Sequence, residues 1–352
     1  MTSDLNRTAE HWAKPQNAQL GLYWTDLTSV QSRLNHKVSG NDCQDWLNYT
    51  LHRYFTGKLP LARCYSLGCG HGEVERQLAR SEAFILCEAS DISDGAIAEA
   101  QRAAIAEGLT NIIYTVKNAN ALTLQPQTYD AVWAHASIHH FECLDHVFAT
   151  VATALKPNGL FILNEYIGPS RFQFPLAQRQ AIQACLDLLP AAYRQMAPDV
   201  VNSKTSGWSD ILPSRLPQRL LNKWRDGDLL TAIGRRLRFL FAANSGTGLE
   251  KSCAFLPTER SVISVDPSEA VHSAEIVPVL KDYFEIVEYK SLGGTILQFL
   301  LADIAGNFEQ NEASESLLQM LYTIEDTLIE TGYLDSDFAY IVATPKRGKL
   351  AG

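Results

Sequence analysis

An apolar run at residues 63–67 opens into a loop with glycine at every second position, Gly68, Gly70 and Gly72, and an apolar pattern of helical spacing (Val74, Leu78) starts directly behind it. Asp91 stands nineteen positions past the last of these glycines, in Ala-Ser-Asp-Ile-Ser after the next apolar run. Missing side chains let a ligand lie against the loop backbone, and free N–H groups at the following helix start favour an anion. A carboxylate behind the second strand is placed to hold a ribose diol.

The spacing discriminates between ligands. Dinucleotide sites use Gly-x-Gly-x-x-Gly, but the third position after Gly70 is Glu73, so that pattern fails. No Lys-Ser/Thr follows the glycines, which removes a phosphate-cradling P-loop.

Strand and helix signals alternate over residues 61–166. Strands are expected at 63–67, 84–89, 112–116, 129–134 and 160–165, helices at 72–80, 94–108 and 146–155, and a turn at 156–159 (Lys-Pro-Asn-Gly). Such alternation implies a parallel sheet covered on both faces, with ligands at the carboxyl ends of its strands. Residues 1–60 read as helical, with Asn41-Asp42 as a cap before Trp46, Leu47 and Leu51. Trp12, Tyr23 and Trp24 either pack this layer onto the core or help close a lid. Residues 169–275 break the rhythm with helical stretches at 176–189, 215–224 and 229–241, an inserted cap. A helix opened by Asp266-Pro267-Ser268 is expected over 266–282, then a strand at 284–289, helices at 295–305 and 315–331, and a strand at 338–344. The expected domains are an N-terminal helical segment (1–60), a Rossmann-like core (61–168 with 276–352) and the inserted cap or substrate lid (169–275).

The formal net charge is −9, and nucleic acid is disfavoured because phosphate binding needs clustered Lys and Arg. The one basic cluster, Arg235, Arg236 and Arg238, reads as a solvated helix face. Seven scattered cysteines form no metal-ligand or disulfide pattern, so no metal is expected. The polar N-terminus and the absence of a membrane-length apolar run lead to the expectation of a cytoplasmic protein without a membrane partner. Oligomeric state is not readable.

The glycine loop, Asp91 and the order of elements resemble the class I S-adenosylmethionine-dependent methyltransferases, well over about residues 60–166 and loosely over 276–346. The resemblance implies an α/β fold, a Rossmann-like seven-stranded, mostly parallel sheet with helices on both faces, and S-adenosyl-L-methionine as cofactor. It implies a cofactor site at Ser66, Gly68, Cys69, Gly70, Gly72, Asp91, Ile92, Asn118, Ala119 and His135. Cys69 would be a small loop residue rather than a nucleophile, and Asp91 would take both ribose hydroxyls. Two positions depart from the family. Ser66 stands where an acid is common near the methionine end, and Asn118 stands where an acid usually accepts from the adenine amino group.

The loop after the fourth strand, His135-Ala136-Ser137-Ile138-His139-His140, is similar to the Leu-His-His often found there. A histidine near the methyl group can deprotonate a hydroxyl, so His140, and behind it His139, are candidate bases; a structural helix start is the alternative. Glu165 and Tyr166, at the end of the fifth strand, are further candidates for handling a substrate proton. Arg171 and Gln173 are candidate substrate contacts, or else part of a hinge into the cap. The implied activity is O-methylation of a small-molecule or glycan-type acceptor. N- or C-methylation, a silent S-adenosylmethionine-binding protein, and another nucleotide-binding α/β enzyme remain open.

Overall fold

The computed structural model describes residues 3–13, 22–196 and 249–346. The helices expected at 215–224 and 229–241, and the cluster Arg235, Arg236 and Arg238, lie outside the described residues.

The core is one seven-stranded sheet. Its strands are β1 (Leu61–Leu67), β2 (Phe84–Asp91), β3 (Ile112–Val116), β4 (Tyr129–His135), β5 (Leu155–Tyr166), β8 (Phe284–Gly293) and β9 (Phe338–Pro345). They lie in the order β3-β2-β1-β4-β5-β9-β8. The first five are parallel, and β9 inserts antiparallel between β5 and β8. A separate two-residue pair, β6 (Gln195–Met196) with β7 (Leu249–Glu250), lies in the insertion.

Helices cover both faces. On one, α6 (Leu144–Ala154) and α9 (Ile276–Tyr283) bury Phe148 and Leu280 against Phe161 and Phe284. On the other, α3 (Trp46–Phe55) and α4 (Glu73–Arg80) bury Leu51 and Leu78 near Trp133 and Tyr340. α5 (Asp94–Ala106) sets Ile97 and Ala100 against Ala89 and Tyr114. Each such large apolar side chain contributes about 1.5–3 kcal/mol by leaving water. Another cluster joins distant parts of the chain. Trp24 and Leu27, just before α2 (Thr28–Ser39), meet Ile182 and Leu186 of α7 (Leu176–Leu188), α10 (Leu297–Leu301) and α11 (Glu312–Glu330). The chain also forms α1 (Ser3–Trp12) and α8 (Glu259–Val265).

Several expected boundaries move for physical reasons. β2 continues through Asp91, which pairs with Val116. The Lys-Pro-Asn-Gly turn is absorbed into β5 as an irregularity: Tyr129 lies opposite Leu155, and Ala131 lies opposite Leu160. α3 is capped by Asp45, whose carboxylate accepts from the Asn48 N–H at 2.8 Å, not by Asn41-Asp42. The helix expected from residue 266 starts only at Ile276. The Asp266 carboxylate is engaged by Thr8, Trp12 and Ser268 instead, and Ala270 at φ 49° leaves the helical region. Asp303 at φ 69° likewise falls within the helix expected over 295–305, where α10 ends at Leu301. No helix among the described residues is long and apolar enough to cross a membrane.

Candidate active site

A cavity of about 530 Å³ opens at the carboxyl ends of β1, β2, β3 and β4. Ser66, Gly68, Cys69 and Gly70 line it from β1 and the loop behind it. Asp91 and Ile92 follow from β2, Asn118 and Ala119 from β3, and His135 from β4. Four strands thus bring together nine of the ten residues expected to hold the cofactor. Gly72 is the tenth and does not line the cavity. It caps α4 at φ 77°, and a Cβ there would stand 2.5 Å from the Tyr114 hydroxyl. Its lack of a side chain serves packing of the glycine loop against β3 and α5.

Asp91 is held by backbone. Oδ2 accepts from the Gly70 N–H at 2.9 Å and Oδ1 from the Ser93 N–H at 2.8 Å. Each oxygen keeps a further acceptor site for a diol. Ser93, not Asp91, caps α5. Gly70 has φ 51°, and a Cβ there would meet no protein atom, so the cradle is open on that side. Asn118 spends one acceptor site of Oδ1 on the Asn120 N–H. The combination suits a nucleoside with a ribose diol.

The other end of the cavity is built around two histidines. His140 lines it, whereas His139 does not. Glu165 is fully buried and accepts from the Ser137 and Ile138 N–H groups at 2.8 and 2.7 Å. It also bonds His139 Nδ1. Burial opposes charge on both partners, but their mutual attraction outweighs it. The His139 ring is held above its ordinary value, and the Glu165 carboxyl below its own. The pairing of His139 with Glu165 thus favours the charged form of each.

His140 has the opposite character. Burial, reinforced by the cation of His139, pushes it down, so its ring is neutral. Its proton can be located. Ser268 Oγ donates to Asp266 Oδ1 at 2.8 Å, so the same oxygen accepts from His140 Nδ1–H at 3.0 Å. Nε2 is then a bare acceptor. Asp266 is buried, which alone would raise its carboxyl, yet donors from Ser268 and Thr8 help to hold it below the ordinary range. Trp12 Nε1 also donates to Asp266 at 2.9 Å, and its ring stands edge-on to His140 with centroids 5.2 Å apart. Leu5, Thr8 and Trp12 of α1 line this side of the cavity.

The remaining candidates lie elsewhere. Glu165 acts on His139 and does not line the cavity. Tyr166 is buried, its hydroxyl donating to the Pro169 carbonyl at 3.0 Å. Arg171 donates to the Glu269 carbonyl at 2.9 Å, and Gln173 donates to the Arg171 carbonyl. Neither Arg171 nor Gln173 lines the cavity, and Arg171, whose backbone N–H also donates to the Ala270 carbonyl, joins the end of β5 to the 266–271 loop.

Sequence reasoning passed over Glu75, which lines the cavity from α4, and the Asp266-Ser268-Glu269 loop, read as a helix start. Glu269 brings a carboxylate to the histidine pair: Oε1 is 3.6 Å from His139 Nε2 and Oε2 is 4.0 Å from His140 Nε2. These three side chains have metal-like spacing, which the chain positions alone did not suggest. No local signal links residues 139–140 to 266–269, because they meet only through the fold.

The sheet order, with β9 antiparallel between β5 and β8, and the glycine cradle and acid at the ends of β1 and β2 are those of a class I, Rossmann-like fold. Residues 65–163 match the family described as "Methyltransferase domain". Over 115 residues the chain is 30% identical to the 27-O-demethylrifamycin SV methyltransferase of Amycolatopsis mediterranei, a match covering 32% of this chain and 42% of that protein. The chain thus spans about two fifths of the length of this curated relative. Among solved structures it is similar to an S-adenosylmethionine-dependent methyltransferase from Mesorhizobium loti (15% identity, TM-score 0.42, covering 85% of this chain and 97% of that one). It is also similar to Haemonchus contortus phosphoethanolamine N-methyltransferase 2 in complex with S-adenosyl-L-methionine (15% identity, TM-score 0.41, covering 93% and 61%).

Proposed function

We propose that this chain methylates an oxygen of a small-molecule or glycan-type acceptor, with His140 as the base. The observation that carries this reading is the fixed tautomer of His140. Its Nδ1–H is committed to Ser268 and, through it, Asp266, leaving Nε2 without a hydrogen on a residue that lines the cavity of the glycine loop and Asp91. The O-demethylated compound in the name of the curated relative supports an oxygen acceptor.

Asp91 would hold the ribose, the Gly68–Gly70 loop would lie along the cofactor, and the loop after β3 would meet the base. When bound, S-adenosylmethionine supplies a methyl group already activated for transfer. The chain's own work is alignment, exclusion of water and removal of one proton. Alignment of two bound partners can supply about 7–11 kcal/mol, and a positioned base adds about 10²–10⁴-fold. His140 Nε2 takes the acceptor proton as the oxygen becomes nucleophilic. The resulting ring cation faces Glu269 and, through Ser268, Asp266. α1 shields this end, and residues 169–275 would set acceptor size as a lid.

Calorimetry with S-adenosylmethionine and its demethylated product tests the binding half; no binding of either at millimolar concentration overturns the reading. Transfer of labelled methyl to a panel of hydroxyl acceptors tests the chemistry. His140→Ala should lower kcat by about 10²-fold or more with cofactor affinity unchanged. An unchanged kcat would remove His140 as the base, and transfer to none of the panel would favour a cofactor-binding protein without chemistry.

A further inference from the structure

The cavity is lined by three carboxylates, Glu73, Glu75 and Asp91. Asp91 is fixed by two backbone N–H groups at the place suited to the ribose. Glu73 is largely exposed and paired with Arg76 and Arg80. Glu75 differs from both. It is fully buried in the first turn of α4, one oxygen bonded to the Ser66 hydroxyl, while Oε2 has no hydrogen-bond partner among the described residues.

A buried carboxylate oxygen without a partner is costly in an isolated fold, on the order of several kcal/mol if charged, and is explained by a cationic group that arrives with a ligand. The cofactor of the functional reading above, S-adenosylmethionine, has one such group, the ammonium of its methionine moiety. We propose that Glu75, braced by Ser66, is the counter-charge that binds this ammonium. The proposal rests on the functional reading above. Ser66 carries no charge of its own, and its hydroxyl donates to Glu75, so the acid for this end of the cavity comes from the helix rather than from the strand. Burial pushes the Glu75 carboxyl up to about 7, as for a group whose counter-ion is not part of the chain.

Three ligands separate the contributions in calorimetry on the full chain: S-adenosylmethionine, S-adenosylhomocysteine and 5′-methylthioadenosine, the last with the same nucleoside but no amino acid. Glu75→Gln should weaken the first two by tenfold or more and change the third by less than twofold. Returning an acid in Ser66→Asp/Glu75→Gln should recover S-adenosylhomocysteine affinity to within about threefold of the parent. Equal weakening of all three ligands would make Glu75 a structural residue of the cavity and overturn the proposal, as would no weakening of any. If Glu75→Gln does not fold, Ser66→Ala, which removes only the brace, should still weaken S-adenosylhomocysteine more than methylthioadenosine; equal effects overturn the proposal. Failure of the parent chain to bind all three ligands would instead overturn the cofactor reading itself.

Discussion

The carboxyl of Glu75 keeps its proton up to about pH 7 because burial opposes its charge, whereas in the unfolded chain it ionises near 4.5. Between those values the folded state holds a proton that the unfolded state has released, so stability falls as pH rises through that window. The charges around it do not cancel this: Arg76 favours ionisation, and Asp91 opposes it. Glu75→Gln should therefore be more stable than the parent at pH 8, by about 3 kcal/mol, and about equal to it near pH 4.5, as read by urea unfolding at both. The variant should retain some of the same slope, since burial also pushes Asp337 up to about 7. His140 yields a kinetic counterpart. For a base the neutral ring is the active form, and burial with His139 lowers His140, opposed by Glu269, Asp266 and Glu165. The acid limb of kcat/KM should lie below pH 6.5; a limb above that value would contradict the assignment. Since His139 is read as a cation paired to Glu165, dialysis against EDTA should leave turnover unchanged, and restoration by a divalent metal after a loss would reassign the His139-His140-Glu269 trio.

α1 is held beside the cavity by Thr8 Oγ1 and Trp12 Nε1, which donate to Asp266 at 2.9 Å each, and by Arg7, which donates to the Ile263 and Ser264 carbonyls at 3.0 Å each. Hydrogen bonds to a charged acceptor contribute about 1.5–3 kcal/mol, a large share of what tethers a ten-residue helix. Thr8→Val should speed amide exchange across residues 3–12 while leaving exchange in β1 and β2 as it was. The α4 cap makes a contrasting case. Gly72→Ala would press a Cβ onto the Tyr114 hydroxyl at a left-handed φ and should cost at least about 2 kcal/mol, seen as a lower urea midpoint.

Across the whole chain, what could be read in advance was local. The glycine spacing, the apolar run into Asp91 and the alternation through residue 166 each lie within a short stretch, and the sheet forms where they indicate. Element ends were harder: Asp91 belongs to a strand because Val116 pairs with it, and residues 156–159 join β5 although their composition is that of a turn. The groups that set the state of the histidines were illegible as a set because they converge from four segments, α1, the 137–140 loop, the end of β5 and the 266–269 loop. Arg171 was conspicuous but serves the joint between β5 and that last loop. Glu75 was hidden for a different reason: an acid in the first turn of a helix is ordinary, and only full burial beside Ser66 sets it apart.

This uneven distribution bears on the order in which the molecule is made. The Gly70–Asp91 contact spans 21 positions, His140 meets Ser268 across 128, and Thr8 meets Asp266 across 258. Distant pairings carry the larger loop-closure cost and form later. A chain emerging from the ribosome has all the ribose-facing loops in hand once residue 120 is out. It lacks the partners that fix the His140 tautomer until nearly 150 further residues have followed.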